Sequence, residues 1–321
     1  MSPGVATLEA MSTRLFPKNQ GADRYAVTGI AARCDWVVLS DMRAPHAVLA
    51  RRRDGPPRHV FLSLRSPFDA LAFFFDHVLP QIDRPFVLVS GSEDVTVPNQ
   101  RDARWRPFTA QEGHRLRALA DDPRLLHWFV ENLDEAWHPK LKPLPVGWVF
   151  ADSGQSHSVP VPVVAPLRDR PLRVLCAHRL REGPQWETRR AVTRLCRERF
   201  SDFCTVIEDE LPQPEFFRLL GEHAFVICAE GGGLDPSPKA WHALLHGAIP
   251  IVRSTPLDSA YRRLPVAIVD GWHETSLSLA GLLQWRDQHA ASFDSPAGRA
   301  GVLARLGIDY WWAGIAARCR P

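Results

Sequence analysis

Lysine is scarce in this chain: Lys18, Lys140, Lys142 and Lys239 stand among 39 basic residues. Against such a bias toward arginine, a retained lysine hints that a compact ammonium is wanted at its position. Closely spaced cysteine pairs are missing too. Cys34, Cys176, Cys196, Cys204, Cys228 and Cys319 are scattered without a C-x-x-C, and Cys176 and Cys228 fall inside apolar runs, so the set reads as small buried hydrophobes. No charged-then-apolar leader is read at the amino terminus. The most apolar region, 71–79, is interrupted by Asp76 and is too short to span a bilayer. A soluble cytoplasmic protein with reduced thiols is expected. Excess charge of one sign is absent as well: the formal charge is +3 over 321 residues, so nothing calls for nucleic acid or an extended anionic partner. With 45% apolar and 23% charged residues, the composition excludes wholesale disorder and collagen-like structure.

What is present is an alternation. The length is large for one core and small for three, so two domains are expected. From Arg173 onward the runs RVLCA, CTVI, AFVICAE, IPIV and VAIVD alternate with helical patterns over 184–200, 214–223, 238–246 and 257–263. Continuous apolar strands separated by amphipathic helices indicate a parallel sheet covered on both faces, a Rossmann-like half. The earlier half repeats the scheme less regularly, with WVVLS at 36–40, HVFLSL at 59–64, PFVLVSG at 85–91 and LLHWFVEN at 125–132, and helices over 67–79 and 109–120. Between them HSVPVPVVAPLRDRP, 157–171, has no helical period and reads as a stiff connector. The expected domains are 1–160, a linker 161–172, a second domain 173–305, and an aromatic tail 306–321 that packs back on the first.

The stretch AEGGGLDPSPKAWHALLHGAIPIV, 229–252, concentrates the local signals. An apolar strand ends at Glu230, Gly231, Gly232 and Gly233 follow, and Ser237-Pro238 begins a helix. Free N–H groups at a helix start, with glycines that let a ligand approach, make an anion site. Lys239 in the first helical turn opposes the helix dipole, a placement that fits a bound anion. Lys239, His242 and His246 share one helical face, Trp241, Leu244 and Leu245 another, and Gly247 closes the helix. A tight strand-to-helix connection with a solvated face is the competing reading. A Walker loop fails at Pro236 and Ser237, and a dinucleotide G-x-G-x-x-G fails at Pro236.

Here the sequence resembles the exostosin-like glycosyltransferases and their bacterial relatives. The resemblance runs through Gly231, Gly233, Asp235, Lys239, Trp241, Ala243, Leu244, Gly247, Ile249, Pro250, Ile251 and Val252, and continues into LDSAYRRLPVAIVDGW, 257–272. Upstream, ENLDEAWHPKLKPLPVGWVF, 131–150, and VSGSEDVTVP, beginning at Val89, resemble further stretches of the family. It implies an α/β fold of GT-B type: two facing Rossmann-like domains, the second gripping a nucleotide diphosphate sugar and the first presenting a hydroxyl acceptor on a glycan, a lipid-linked chain or a small molecule. Lys239 would take the place of the family's diphosphate-pairing Arg, and His242 that of the Glu that holds ribose hydroxyls. Both are departures: Lys keeps the charge without a bidentate clamp, while a neutral imidazole offers one acceptor and one donor where a carboxylate accepts twice.

Glycosyl transfer needs stabilisation of the leaving diphosphate and, for inversion, a base on the acceptor. Asp94, just past a strand's carboxyl end, and His138, in a rigid HPKLKP loop with Lys140, are the catalytic candidates. Arg179, after RVLCAH, could meet the diphosphate, and Lys140 is a binding candidate that the resemblance singles out. The nucleotide-binding set is thus Glu230, Gly231, Gly232, Gly233, Asp235, Lys239, His242, Arg179 and Lys140. No metal is expected; Glu93 and Asp94 are adjacent where a metal-dependent GT-A enzyme alternates its acids, yet they remain the alternative. IEDE, 207–210, reads as a solvated acidic turn. Arg51, Arg52 and Arg53 could touch anionic lipid near a membrane-bound acceptor. The rival to a transferase, motivated by His242, is a non-catalytic nucleotide- or phosphate-binding protein of the same descent.

Overall fold

The computed structural model describes residues 6–150 and 157–319. They form two compact units, one of residues 9–150, 157–158, 233–235 and 307–319, the other of residues 6–8, 159–232 and 236–306.

The first unit is built on a six-stranded sheet, in the order β2-β1-β3-β4-β5-β6. Its strands are β1 (Trp36–Ser40), β2 (Ala47–Arg51), β3 (His59–Ser63), β4 (Phe86–Gly91), β5 (Leu125–Val130) and β6 (Leu141–Pro143). Every pairing is parallel except β1 with β2. β1, β3 and β4 are buried at each position, so both faces demand apolar side chains and the strands read as continuous runs. β2 is a half-exposed edge strand and β6 has three residues; neither has a sequence signature, and both are additions to the sequence reading. Helix α1 (Pro67–Phe73) is shorter than the pattern over 67–79, because the chain first widens its turns and then tightens at Leu79–Gln81, where Pro80 offers no N–H. Helix α2 (Ala110–Asp121) begins with a capping box: the Thr109 hydroxyl accepts from the Glu112 N–H, and the Glu112 carboxylate accepts from the Thr109 N–H.

The second unit holds a five-stranded, wholly parallel sheet of β7 (Val174–Ala177), β8 (Cys204–Ile207), β9 (Phe225–Ile227), β10 (Ile249–Arg253) and β11 (Ala267–Val269), ordered β8-β7-β9-β10-β11. Helices α3 (Glu187–Arg199), α4 (Gln213–Glu222), α5 (Lys239–Leu245) and α6 (Asp258–Tyr261) connect successive strands, and α7 (Leu279–Asp294) and α8 (Pro296–Leu306) follow. The order 2-1-3-4-5 reverses direction at β7, which makes the carboxyl ends of β7 and β9 the switch point of a doubly wound sheet. The Rossmann-like α/β class expected from the sequence is present in both units. Helix α9 (Ile308–Ala316) belongs to the first unit.

Helix α5 is fixed by its apolar side. Trp241 is 1% exposed and its indole N–H donates to the Leu306 carbonyl at 3.2 Å; burying a side chain of this size contributes about 1.5–3 kcal/mol. Gly247 then takes φ +76°, the left-handed conformation that ends a helix at least cost with glycine. No helix of the described residues is long and apolar enough to cross a membrane.

Candidate functional site

At the carboxyl ends of β7, β8 and β9, wholly within the second unit, lies a cavity of about 560 Å³. Its walls come from the turn after β7, the start of α3, the segment between β8 and α4, and the start of α5. Arg179, Arg181, Arg189 and Lys239 supply cations to it, Trp186 and Phe216 flat apolar faces, and His242 an imidazole. Lys239 Nζ donates to the carbonyl of Ala177, the last residue of β7, at 2.6 Å. Among the described residues Lys239 has no carboxylate within ion-pairing distance. Burial, and next the charge of Arg189, pull the Lys239 ammonium down to about 8, because the charged form is disfavoured when desolvated beside a second cation. The Arg189 guanidinium lies over the Trp186 ring, 4.8 Å from its centroid. His242 stands edge-on to Phe217 with centroids 5.1 Å apart. Burial, with the charges of His246 and Lys239, lowers it to about 3, so it is a neutral imidazole across the physiological range. Arg179 is ion-paired with Glu210 at the exposed rim.

The structure therefore brings Arg179, Lys239 and His242 together. Glu230, Gly231, Gly232, Gly233 and Asp235 do not line this cavity, and Glu230, Gly233 and Asp235 are engaged elsewhere. Glu230 accepts from Arg253 at 2.5 Å and from the Trp272 indole at 3.3 Å. A side chain at Gly231 would stand 3.0 Å from Arg189 Nη2. The N–H groups of Leu234 and Asp235 donate to Asn132 Oδ1 at 2.9 and 3.0 Å, and Asp235 Oδ2 accepts from the Val146 N–H at 3.2 Å. A Cβ at Gly233 would lie 2.5 Å from that same Oδ1 and 2.8 Å from the Asp94 carbonyl. The close approach that these glycines permit is thus, at Gly233, the approach of Asn132. Gly233→Ala is expected to destabilise the fold by about 1–3 kcal/mol through this overlap, measurable as a lowered urea midpoint; an unchanged midpoint would show that the loop relaxes freely.

Asp94 lies past the carboxyl end of β4, in the first unit, in a cluster that sequence reasoning did not anticipate. It pairs with Arg14 and with Arg104, the latter at 2.9 Å. Arg14 also meets Glu131 at 2.9 Å, and Glu93 meets Arg65 at 2.8 Å and Arg104 at 3.0 Å. Burial pushes the Asp94 carboxyl up, but Arg14 and Arg104 outweigh it and hold it below its usual range. Glu131 behaves oppositely: 1% exposed, it is raised by burial to about 7 against the pull of Arg14 and the Thr13 hydroxyl. Glu93, Asp94 and Asp102 have oxygens within 4.8 Å of one another, yet all three are contacted by guanidinium groups, which supply the positive charge that a metal would.

His138 and Lys140 sit elsewhere. Lys140 Nζ donates to the Asp122 carbonyl at 2.8 Å, and the Lys140 N–H donates to His138 Nδ1 at 3.2 Å. Asp122 precedes β5, so Lys140 Nζ reaches the amino end of the sheet, opposite the end where ligands of parallel sheets gather. Of the three arginines read as a lipid-facing loop, Arg51 covers the Trp36 ring and bonds to Gln81, and Arg53 pairs with Asp35 at 3.1 Å.

No family model matches the chain, and no curated protein matches it by sequence. Solved structures with similar folds include a trehalose-6-phosphate protein from E. coli bound with UDP-2-fluoro glucose, at 8% identity and a TM-score of 0.44, covering 82% of this chain and 73% of that one. Another is Anabaena HepE in complex with UDP and glucose, at 10% identity and 0.43, covering 81% and 77%. A UDP-forming trehalose-phosphate synthase from Burkholderia xenovorans follows at 9% identity and 0.40, covering 83% and 74%. Likenesses of this size say nothing of substrate or reaction.

Proposed function

We propose that this protein is a glycosyltransferase of GT-B type that moves a sugar from a nucleoside diphosphate donor to a hydroxyl acceptor, with the donor's diphosphate in the cavity beside α5. The observation that carries the reading is Lys239, a cation on the cavity wall at the switch point of a doubly wound sheet, close to Arg189 and without a carboxylate paired to Lys239 among the described residues. A diphosphate supplies the missing negative charge, and Trp186 and Phe216 offer faces on which a base can stack. The motif resemblance around Lys239 and Trp241 supports the same reading independently.

In the transfer step the acceptor oxygen bonds to the anomeric carbon as the bond from that carbon to the diphosphate breaks, negative charge grows on the departing phosphate oxygen, and the acceptor's proton passes to that oxygen or to water. Lys239 and Arg189, fixed in place before reaction, stabilise that charge. The neutral ring of His242 can offer a ribose hydroxyl one donor or one acceptor. On the acceptor side, Asp94 stands at the ligand-gathering end of its sheet and His138 belongs to the loop whose lysine is tied to the opposite end, which favours Asp94. Held ionised by two arginines, it is suited to orient a hydroxyl by accepting its hydrogen bond and is a weak acceptor of its proton.

Calorimetric titration with uridine, guanosine, adenosine, cytidine and thymidine diphosphates is the direct test. At least one is expected to bind, and its sugar conjugate to be slowly hydrolysed without acceptor. Binding without turnover over a full donor panel would favour the non-catalytic rival, and no binding at all would overturn both. Transfer is also expected to survive chelation by EDTA largely intact, because Lys239 and the arginines do the charge compensation that a divalent ion does in GT-A enzymes. Loss of activity in EDTA with recovery in manganese would instead point to Glu93, Asp94 and Asp102.

A further inference from the structure

Away from the cavity, the first unit holds a thiol, an imidazole and a carboxylate in line. Cys319, just past α9, is partly exposed, whereas the other five cysteines are buried. Its Sγ lies 3.1 Å from Nε2 of His59 and 3.3 Å from the Arg58 carbonyl. His59 opens β3, is 7% exposed, and is held against the Trp312 ring with centroids 4.7 Å apart. Its other nitrogen, Nδ1, faces Asp35 Oδ2 at 3.6 Å. Asp35 is itself fixed, accepting from the N–H groups of Arg58 and His59 at 2.8 and 3.0 Å and pairing with Arg53. The imidazole thus has a thiol on one nitrogen and an anchored negative charge beside the other, the arrangement in which a histidine can accept a proton and remain in place.

We infer that Cys319 is a modification site: a thiol that His59 activates for exchange with small disulfides such as glutathione disulfide. The step is balanced within the pair and the incoming molecule. Cys319 passes its proton to His59 Nε2 and the thiolate attacks one sulfur of the disulfide. A new S–S bond forms as the old one breaks, and the departing thiolate takes the proton from His59 and leaves as a thiol. The Cys319 sulfur is oxidised and the departing sulfur reduced. Burial and the Asp35 charge push the Cys319 thiol up, so the imidazole beside it serves as the base for its proton. The five buried cysteines have no comparable access.

The test uses the native protein and the aromatic disulfide dithionitrobenzoate. One thiol per chain is expected to react in a fast phase, absent in Cys319→Ser, and incubation with glutathione disulfide should add one glutathione to the peptide that contains Cys319. An unassisted thiol speeds up by about tenfold per pH unit below its pKa. With His59 as base the wild-type rate is expected to change less than about threefold between pH 7 and pH 8, since the proton merely moves within the pair. His59→Gln should slow the fast phase at pH 7 by about tenfold or more and restore the steep slope. A fast phase that persists in Cys319→Ser, a wild-type slope steeper than threefold per unit, or His59→Gln reacting like wild type would each overturn the inference. The wild-type pH profile decides the matter even where a variant does not fold.

Discussion

Lys239→Ala is expected to weaken nucleoside diphosphate binding by roughly 10- to 150-fold, the equivalent of about 1.5–3 kcal/mol for removing a charge-assisted hydrogen bond from a desolvated site. Lys239→Arg keeps the charge and is expected to lose far less. The pH dependence is more diagnostic than the magnitude. In the free protein Lys239 is pulled down to about 8, and an anion beside it favours the charged form, so binding takes up a proton wherever the free amine has begun to lose its own. Affinity should therefore be nearly level below pH 7 and fall as pH rises through 8, by up to tenfold per unit. In Lys239→Arg the fall should vanish, because a guanidinium stays charged throughout. Calorimetry at pH 6.5, 7.5, 8.5 and 9.5 in buffers of different ionisation enthalpy reads both the affinity and the proton uptake. A wild-type affinity that is level to pH 9.5, or a Lys239→Ala protein that binds as wild type, would remove Lys239 from the site.

The second large effect is on stability. Arg14 is 11% exposed in its side chain and lies between Asp94, Glu93 and Glu131. Removing one partner from a buried ionic group leaves the remaining charge desolvated without compensation, so Arg14→Ala should cost about 3–5 kcal/mol. The cost has a pH signature. Glu131 is raised in the folded protein to about 7, while in the unfolded chain it returns to about 4.3. The folded state thus holds its proton over a range where the unfolded state has released it. The stability this contributes is complete below the unfolded value and is lost as pH rises through about 7. Without Arg14 the Glu131 carboxyl rises further, so the gap between variant and wild type should be smaller at pH 5 than at pH 8. Urea midpoints at the two pH values check this; a gap that stays constant, or that closes at high pH, would mean that Glu131 does not carry the proton.

Much of this architecture is legible in the sequence, and the reason differs by element. β4 and β9 are buried on both faces, so their apolar runs have no polar alternation and announce themselves. β2 escapes notice because an edge strand can take half-exposed residues such as Arg51. In the cavity, Lys239 and His242 are visible because they share a helix face inside one motif. Arg189 and Trp186 are not, because they come from the start of α3 and its lead-in, and only the winding of the sheet carries them to the same place. The acidic turn at 207–210 was legible as a turn, but its position against Arg179 on the cavity rim was not.

By itself the sequence determined the α/β class, the parallel strands, the helix that carries Lys239, and the absence of a closely spaced cysteine pair, because each depends on local periodicity, spacing or composition. The tertiary structure alone decided which charges are answered and which are left open. Asp94 reads in sequence as a catalytic candidate just past a strand's carboxyl end, yet it is locked between Arg14 and Arg104, whose positions along the chain have no periodic relation to it. The glycines of 231–233 read as a cradle for an anion, yet the space beside Gly233 belongs to Asn132. Charge and hydrogen-bond satisfaction in a folded protein depend on distances of a few ångströms between segments remote in sequence, and those distances exist only once the chain has folded.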